Sequence, residues 1–168
     1  MNRNGEEEHP MMPKAKFLDA LSYLLTRGPD DPQVVYERVA YQYDRFRDLW
    51  IDLAGGTIEH LMLADVREIL QPGQRVLDAG AGTGALARQI HALQPDVSLT
   101  LLDISPAMLA RTTDIPGERI EGSVLDLPFP DNSFDLVVSG WVIETVPDPM
   151  RAVTEYLRVI KPTRPAAQ

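Results

Sequence analysis

Three glycines follow an acidic residue at alternating positions near the middle of the chain. Asp78 comes directly after an apolar run, and Gly80, Gly82 and Gly84 follow it. Glycine allows the backbone a positive φ and lets a ligand approach where a Cβ atom would collide with it. The residues after Gly84 have helical periodicity, and N–H groups at the start of a helix bind carboxylate or phosphate groups. The segment therefore predicts a strand, a tight turn and a helix that together hold a nucleotide-like cofactor.

Two classes of cofactor are compatible with this glycine turn. Gly80, Gly82 and Ala85 satisfy the dinucleotide-binding pattern, in which an acid about 20 residues further on binds the ribose, and Asp103 lies near that spacing. Asp78 has no role in a nicotinamide site. A carboxylate there can accept hydrogen bonds from an ammonium group, which S-adenosylmethionine has and NAD lacks. The sequence therefore favours S-adenosylmethionine, and a nicotinamide-dinucleotide-binding module is the distant alternative.

Asp103 follows the second predicted strand, where a carboxylate can bind a ribose. Its two oxygens suit the two hydroxyls of a cis-diol. The alternative is an acid that interacts favourably with the dipole of the next helix, which begins at Ser105 and Pro106. The glycine turn upstream favours the ribose role.

The residues that surround these side chains alternate between strand and helix patterns. The resulting fold class is α/β, a doubly wound and mostly parallel sheet of the Rossmann-like kind. The predicted strands cover 75–79, 97–102, 119–121 and 134–139, and the predicted helices cover 84–93, a short segment after 105 and a last segment from 148.

The first part of the chain has a different pattern, without strands. Residues 1–13 are polar and predict a mobile tail, 14–72 predict an N-terminal helical cap, and 73–168 predict the cofactor-binding core. The last helix of the cap is expected to turn five apolar residues inward: Ile58, Leu61, Met62, Val66 and Ile69.

Composition excludes several kinds of partner. The formal net charge of −9 argues against nucleic acid. Without cysteine, and with three histidines that lack metal-ligand spacing, the sequence predicts no metal site. There is no apolar stretch long enough to span a membrane and no signal-peptide core, so we expect a cytoplasmic location and no membrane partner.

The run Gly122–Gly140 adds a third motif and a resemblance. It contains Asp126-Leu-Pro-Phe-Pro-Asp and resembles the adenine-binding loop and fourth strand of class I S-adenosylmethionine-dependent methyltransferases of the small-molecule type. The resemblance covers roughly Tyr36–Pro162. It implies S-adenosylmethionine as the cofactor and methyl transfer to a small-molecule acceptor.

The resemblance also implies roles for individual residues. Asp126 would accept a hydrogen bond from the adenine amine, although an acid that closes its own turn is the alternative. Glu144 resembles by position a residue that faces the transferred methyl group, and it is the candidate general base. The other implied cofactor contacts are Asp78, Gly80, Gly82 and Gly84 on the methionine portion, Asp103 on the ribose, Ile104 on the adenine face, the Leu127 N–H on a ring nitrogen, and Tyr43 from the cap.

The sequence departs from the family after Pro162, where the family continues into a fifth strand. We expect the strand order 3-2-1-4, with the strand around Leu136–Val138 at an exposed edge. Such an edge predicts pairing with a second copy or with a completing protein partner. A C-terminally shortened, non-catalytic subunit that binds cofactor or docks a partner is therefore the alternative function.

Overall fold

The second half of the chain alternates strands and helices, as the sequence predicts. The computed structural model describes residues 56–162 and seven helical residues before them: Gln33, Val34, Tyr36, Ala40, Tyr43, Asp44 and Arg47. They all belong to the second of two compact units, Pro32–Gln168, whereas the first, Met1–Asp31, lies outside the described residues together with the predicted tail. The predicted domain boundaries after residues 13 and 72 stay predictions.

A four-stranded parallel sheet forms the centre of this unit. Its order is β3-β2-β1-β4, which is the predicted order. The elements in chain order are α1 (Gly56–Ile69), β1 (Arg75–Ala79), α2 (Ala85–Leu93), β2 (Ser98–Asp103), α3 (Pro106–Leu109), a 3-10 turn (Ala110–Thr112), β3 (Glu118–Glu121), β4 (Leu136–Val138) and α4 (Pro149–Val159). No described helix has both the length and the apolar character needed to cross a bilayer.

Strand β1 is buried on both faces because helices cover both sides of the sheet. Val76 packs into a cluster with residues of α1 and α2, among them Val66 and Ile90. Leu77 packs on the opposite side with residues of the C-terminal part, among them Val159 of α4. The carboxyl end of β1, where Asp78 lies, is therefore held between two apolar layers.

Helix α1 turns only part of the predicted face inward: Val66 is buried and Met62 packs against the core, as predicted. Ile58, Leu61 and Ile69 are exposed, with 60%, 64% and 54% of their surface accessible, so this part of the prediction is wrong. The buried residues of the helix are Glu59 and Val66. The carboxylate of Glu59 has hydrogen-bond partners inside the protein, and these partners compensate for its burial.

Helix α4 clamps the loop between β3 and β4. Glu155 is buried, and its carboxylate accepts the backbone N–H of Leu127 at 2.9 Å and Nη2 of Arg158 at 2.7 Å. Arg158 also donates to the carbonyl oxygens of Leu127 and Phe129 at 2.9 and 2.7 Å. The hydrogen bond from Arg158, aided by that from Leu127, lowers the pKa of Glu155 to about 2 against the opposing effect of burial. This clamp holds the loop against the sheet.

We predict that Glu155→Gln lowers the free energy of unfolding by about 1.5–3 kcal/mol, the scale for hydrogen bonds to a charged group. Because the folded-state pKa lies below the ordinary value of 4.5, the carboxylate stabilises the fold above that value and loses its contribution as pH falls toward 2. Urea unfolding between about pH 2 and pH 7 would show the difference between variant and wild type shrinking with acid. Glu68→Gln, on the exposed side of α1, is the matched control; an equal loss there would contradict the prediction.

Candidate functional site

The three glycines of the turn have different roles, although all have positive φ. A Cβ atom on Gly80 would lie 2.3 Å from Cγ2 of Val142, and one on Gly84 would lie 2.4 Å from Cδ1 of Ile115. These two glycines therefore permit close packing. A Cβ atom on Gly82 would meet nothing nearer than Cε1 of Tyr43 at 3.9 Å, so the turn is open to a ligand at Gly82.

Asp103 connects the glycine turn to the end of β2. Its carboxylate oxygens accept the N–H of Gly82 at 2.7 Å and the N–H of Ser105 at 2.9 Å. Ser105 in turn caps α3, since its Oγ accepts the N–H of Met108 at 3.3 Å. Burial raises the pKa of Asp103, and the backbone hydrogen bonds oppose that rise. The side chain thus has an architectural role in addition to any contact with a ligand.

Asp78 is a buried acid that lacks a complete set of partners. The residue is 1% exposed, and its Oδ2 has no hydrogen-bond partner. Burial, together with the nearby charge of Asp103, raises the pKa of Asp78 to about 7. Buried polar atoms are rarely left unpaired in folded proteins. The carboxyl end of this central strand therefore has one buried acceptor position that no described residue fills.

Two adjoining cavities open at the glycine turn. Both are lined by Tyr43, Gly80, Gly82, Gly140 and Trp141. The first cavity extends between Asp103 and the loop after β3, and its other walls include Ile104, Met108, Ser123, Val124 and Leu125. The second cavity extends from the turn toward α1, and its other walls include Arg47, Glu59, Met62, Asp78 and Thr83.

Most of the predicted cofactor residues lie together around these cavities. Tyr43, Gly80 and Gly82 line both of them. Asp103 and Ile104 line the first cavity, and Asp78 lines the second. Burial raises the pKa of Tyr43 to about 12, and the charges of Tyr36 and Asp103 act in the same direction.

The structure does not bring the predicted adenine contacts of the loop to the cavity. Leu127 is buried and its N–H is bonded to the carboxylate of Glu155, so this N–H is not directed at the cavity. Asp126 is exposed, and its N–H closes a turn onto the carbonyl of Ser123 at 3.2 Å. The loop instead reaches the cavity with Ser123, Val124 and Leu125, because the clamp from α4 draws the following residues away.

Gly84 and Glu144 are likewise not among the residues that line the cavities. Gly84 directly precedes α2 and packs against Ile115. Glu144 is exposed, and it acts on the site through its charge, which contributes to the raised pKa of Tyr43. From the same segment, Trp141 and Thr145 do line the first cavity.

Sequence analysis missed Glu59, which lies at the centre of a polar cluster beside the second cavity. It is 7% exposed and accepts Nη2 of Arg47 on both oxygens, at 2.7 and 2.6 Å, and Nε2 of Gln89 at 2.7 Å. Burial opposes ionisation, but the hydrogen bonds from Gln89 and Arg47 hold the pKa of Glu59 below its ordinary value. Its position in the sequence could have indicated its burial, because Glu59 lies on the same helix face as Met62 and Val66.

A second ion pair attaches the helical residues before α1 to the glycine turn. Asp44 accepts a hydrogen bond from Oγ1 of Thr83 and pairs with Nη2 of Arg111 at 2.7 Å. Burial is the largest single influence and opposes ionisation, but the hydrogen bonds from Thr83 and Arg111 and the charges of Arg111 and Arg88 together hold the pKa of Asp44 below its ordinary value. Asp44 therefore connects the turn with the 3-10 segment that follows α3.

Comparison with known proteins identifies the family of this arrangement. Residues 77–163, just over half of the chain, match the family model described as a methyltransferase domain. A demethylmenaquinone methyltransferase of Renibacterium salmoninarum is 34% identical over 154 residues, which are 82% of this chain and 57% of that protein. The ubiquinone/menaquinone biosynthesis C-methyltransferase UbiE of Methylobacterium nodulans is also 34% identical, over 76% of this chain and 54% of its own length. The chain therefore spans about half the length of these curated relatives.

Solved structures give the same fold. A protein described as a methyltransferase, in a complex with a methyltransferase activator from Haloferax volcanii, is 28% identical with a TM-score of 0.64, over 80% of this chain and 58% of that one. The cyclase SpnF is 29% identical with a TM-score of 0.56, over 65% of this chain and 42% of that one. Since a cyclase shares the fold, the fold alone does not decide the reaction.

The family match includes the carboxyl end of β1, the glycine turn and the loop after β3, which all contribute walls to the cavities. The chain therefore belongs to the methyltransferase domain family, and its fold is that of class I S-adenosylmethionine-dependent methyltransferases.

Proposed function

We propose that this chain binds S-adenosylmethionine across the two cavities and transfers its methyl group to a small-molecule acceptor. The observation that carries the proposal is the buried carboxylate of Asp78, whose Oδ2 has no partner, beside a turn that is open at Gly82. An ammonium group would supply the missing hydrogen-bond donor and the opposite charge.

The remaining walls suit the other parts of the cofactor. Asp103 is the residue we propose for the ribose hydroxyls, since each carboxylate oxygen can accept more than the one backbone N–H that it already holds. Ile104 and Met108 offer apolar surface to the adenine ring, and the loop from Ser123 to Leu125 offers backbone groups to its edge. Asp126 and Leu127 are not part of this proposed contact set.

The cofactor supplies an electrophilic methyl group on a sulfonium sulfur. In the transfer, the bond from that carbon to sulfur breaks, a bond from the acceptor to carbon forms, and the acceptor releases a proton. The protein contributes mainly by holding the two reactants in line, which is the largest advantage available to such a displacement. Glu144 lies outside the cavity walls, so we do not propose it as the base.

The acceptor we propose is a small, largely apolar ring compound of the quinol type. The curated relatives are named for demethylmenaquinone and for ubiquinone and menaquinone biosynthesis. The wall of the first cavity beyond the glycine turn is apolar and includes Trp141, Val142, Val146 and Pro147. A cytoplasmic location and the absence of a nucleic-acid partner stay predictions.

A second candidate, a subunit completed by another polypeptide strand, is supported by the free edge of β4. On the side away from β1, the N–H of Phe134 donates to the carbonyl of Val159, and the carbonyl of Phe134 accepts the N–H of Lys161. The N–H of Asp135 points the other way and donates to the carbonyl of Arg75 in β1. By strand alternation, the backbone groups of Leu136 and Val138 face outward, as those of Phe134 do. Within the described part of the chain, no strand pairs with them.

We predict that Gly82→Ala weakens binding of S-adenosylhomocysteine, the product of transfer, by at least about tenfold, or 1.4 kcal/mol. The added methyl group would occupy the space open to the ligand. Gly73→Ala is the matched control, because its φ is also positive and its Cβ would also meet nothing within 4 Å, but it lies in a turn away from the cavities. Isothermal titration calorimetry on both variants makes the comparison, and equal affinities would contradict the site.

We predict that affinity for S-adenosylhomocysteine rises with pH, by up to about tenfold per unit below pH 7, because the ammonium group binds ionised Asp78. Since the folded pKa of about 7 exceeds the ordinary 3.8, the free protein holds a proton that binding must release. In Asp78→Asn the pH dependence should disappear. Titrations in buffers of different ionisation enthalpy would count the released proton; the same pH slope in both proteins would overturn the assignment.

We predict that the free edge of β4 pairs with a second copy of the chain at high concentration. Light scattering should then give a mass that rises from 18.7 kDa toward twice that value. Hydrogen exchange should slow at the outward N–H groups of Leu136 and Val138 and stay unchanged at Val137. A constant monomer mass with no change in exchange would rule out the second copy as the completing strand.

A further inference from the structure

Glu59 joins four parts of the chain at one buried carboxylate. It lies in α1 and accepts hydrogen bonds from Arg47, from Gln89 of α2 and from the side chain of Trp141, which follows β4. Along the sequence, Trp141 lies 52 positions from Gln89 and 94 positions from Arg47, so the carboxylate is the point at which separate elements meet.

Trp141 occupies the place where the two cavities meet. It lines both of them, and so do Gly82 and Tyr43. Its backbone has a φ of +61°, in the left-handed region that a bulky residue rarely adopts. Such a conformation persists only where surrounding contacts hold it. The hydrogen bond between the Trp141 side chain and Glu59 is a contact of that kind.

We propose that Glu59 is a positioning residue, which fixes the indole of Trp141 at the junction of the two cavities and so shapes the space next to the proposed methyl donor. Glu59 and Arg47 both line the second cavity, so the cluster forms part of the wall that it orients. The proposal rests on the proposed function for the identity of the ligand. The contact between Glu59 and Trp141 is testable without any ligand.

Tryptophan fluorescence tests the contact directly. The chain has two tryptophans, so a Trp50→Phe background leaves Trp141 as the only emitter. In this background we expect Glu59→Leu to shift the Trp141 emission to longer wavelength and to raise acrylamide quenching roughly twofold, because the indole loses its partner and gains contact with water. Glu59→Gln keeps an oxygen that can accept the indole N–H, and we expect it to restore most of the wild-type signal. An unchanged signal in Glu59→Leu would overturn the proposal.

The Val66→Ala variant distinguishes a specific effect of Glu59 on Trp141 from a general loss of stability in α1. Val66 is buried on the same face of α1 but has no polar contact with Trp141. We expect this variant to unfold at lower urea concentration and to leave the Trp141 emission of the folded protein unchanged. If it moves the emission as far as Glu59→Leu does, Glu59 has no specific role and the proposal is wrong.

NMR of the Trp50→Phe protein keeps the test decisive if Glu59→Leu does not fold. We expect the indole N–H of Trp141 to exchange slowly with solvent, and a rapidly exchanging proton would contradict the proposal. Saturating S-adenosylhomocysteine should change the Trp141 emission in the Trp50→Phe protein and change it less in Glu59→Gln. If no variant responds because the ligand does not bind, the proposed function fails, while the ligand-free measurements still decide the role of Glu59.

Discussion

The site depends on the hydrogen bonds that the carboxylate of Asp103 accepts from the backbone. Its two oxygens bind the N–H groups of Gly82 and Ser105, so the glycine turn and the start of α3 are held at the carboxyl end of β2. The N–H groups of Gly80 and Ala81 bind the carbonyl of Leu102 at 2.8 and 2.9 Å, and the Asp103 carboxylate extends this attachment to Gly82 itself. The same burial that makes the anchor rigid also raises the pKa of the acid, and the backbone hydrogen bonds offset part of that cost.

The parts of the chain before the sheet are attached to this anchor by polar contacts. Asp44 binds Thr83 in the glycine turn and Arg111 beyond α3, and Arg47 binds Glu59 in α1. Hydrogen bonds of this kind have defined directions, whereas apolar contacts tolerate sliding. They place Tyr43 over the turn, where its ring borders both cavities.

The sequence predicted the features that depend on local pattern. Strand β1, the glycine turn and the capping Ser105 follow from runs of neighbouring residues, and all are present. The sheet order, which is also confirmed, was predicted from the family resemblance. The predictions were wrong where a hydrogen-bond partner that is distant along the chain determines the orientation of a residue. The N–H of Leu127 is bonded to Glu155, 28 positions away, and Glu59 turns inward because Arg47 and Gln89 bind it. Neither partner can be inferred from the spacing of apolar residues, which predicted Met62 and Val66 of α1 correctly but wrongly placed Ile58, Leu61 and Ile69 inward.

The electrostatics of the site connect ligand binding with stability. Asp78 and Asp103 are both buried, and the charge of Asp103 adds to the rise in the pKa of Asp78. In the free protein this repulsion is relieved when Asp78 holds a proton, so ionising it destabilises the fold as pH rises through about 7. A cationic ligand would remove the same cost by pairing with the carboxylate. The acid is therefore poorly suited to stabilising the empty protein and well suited to binding a positive charge, and this contrast supports the ammonium-binding role that we propose for it.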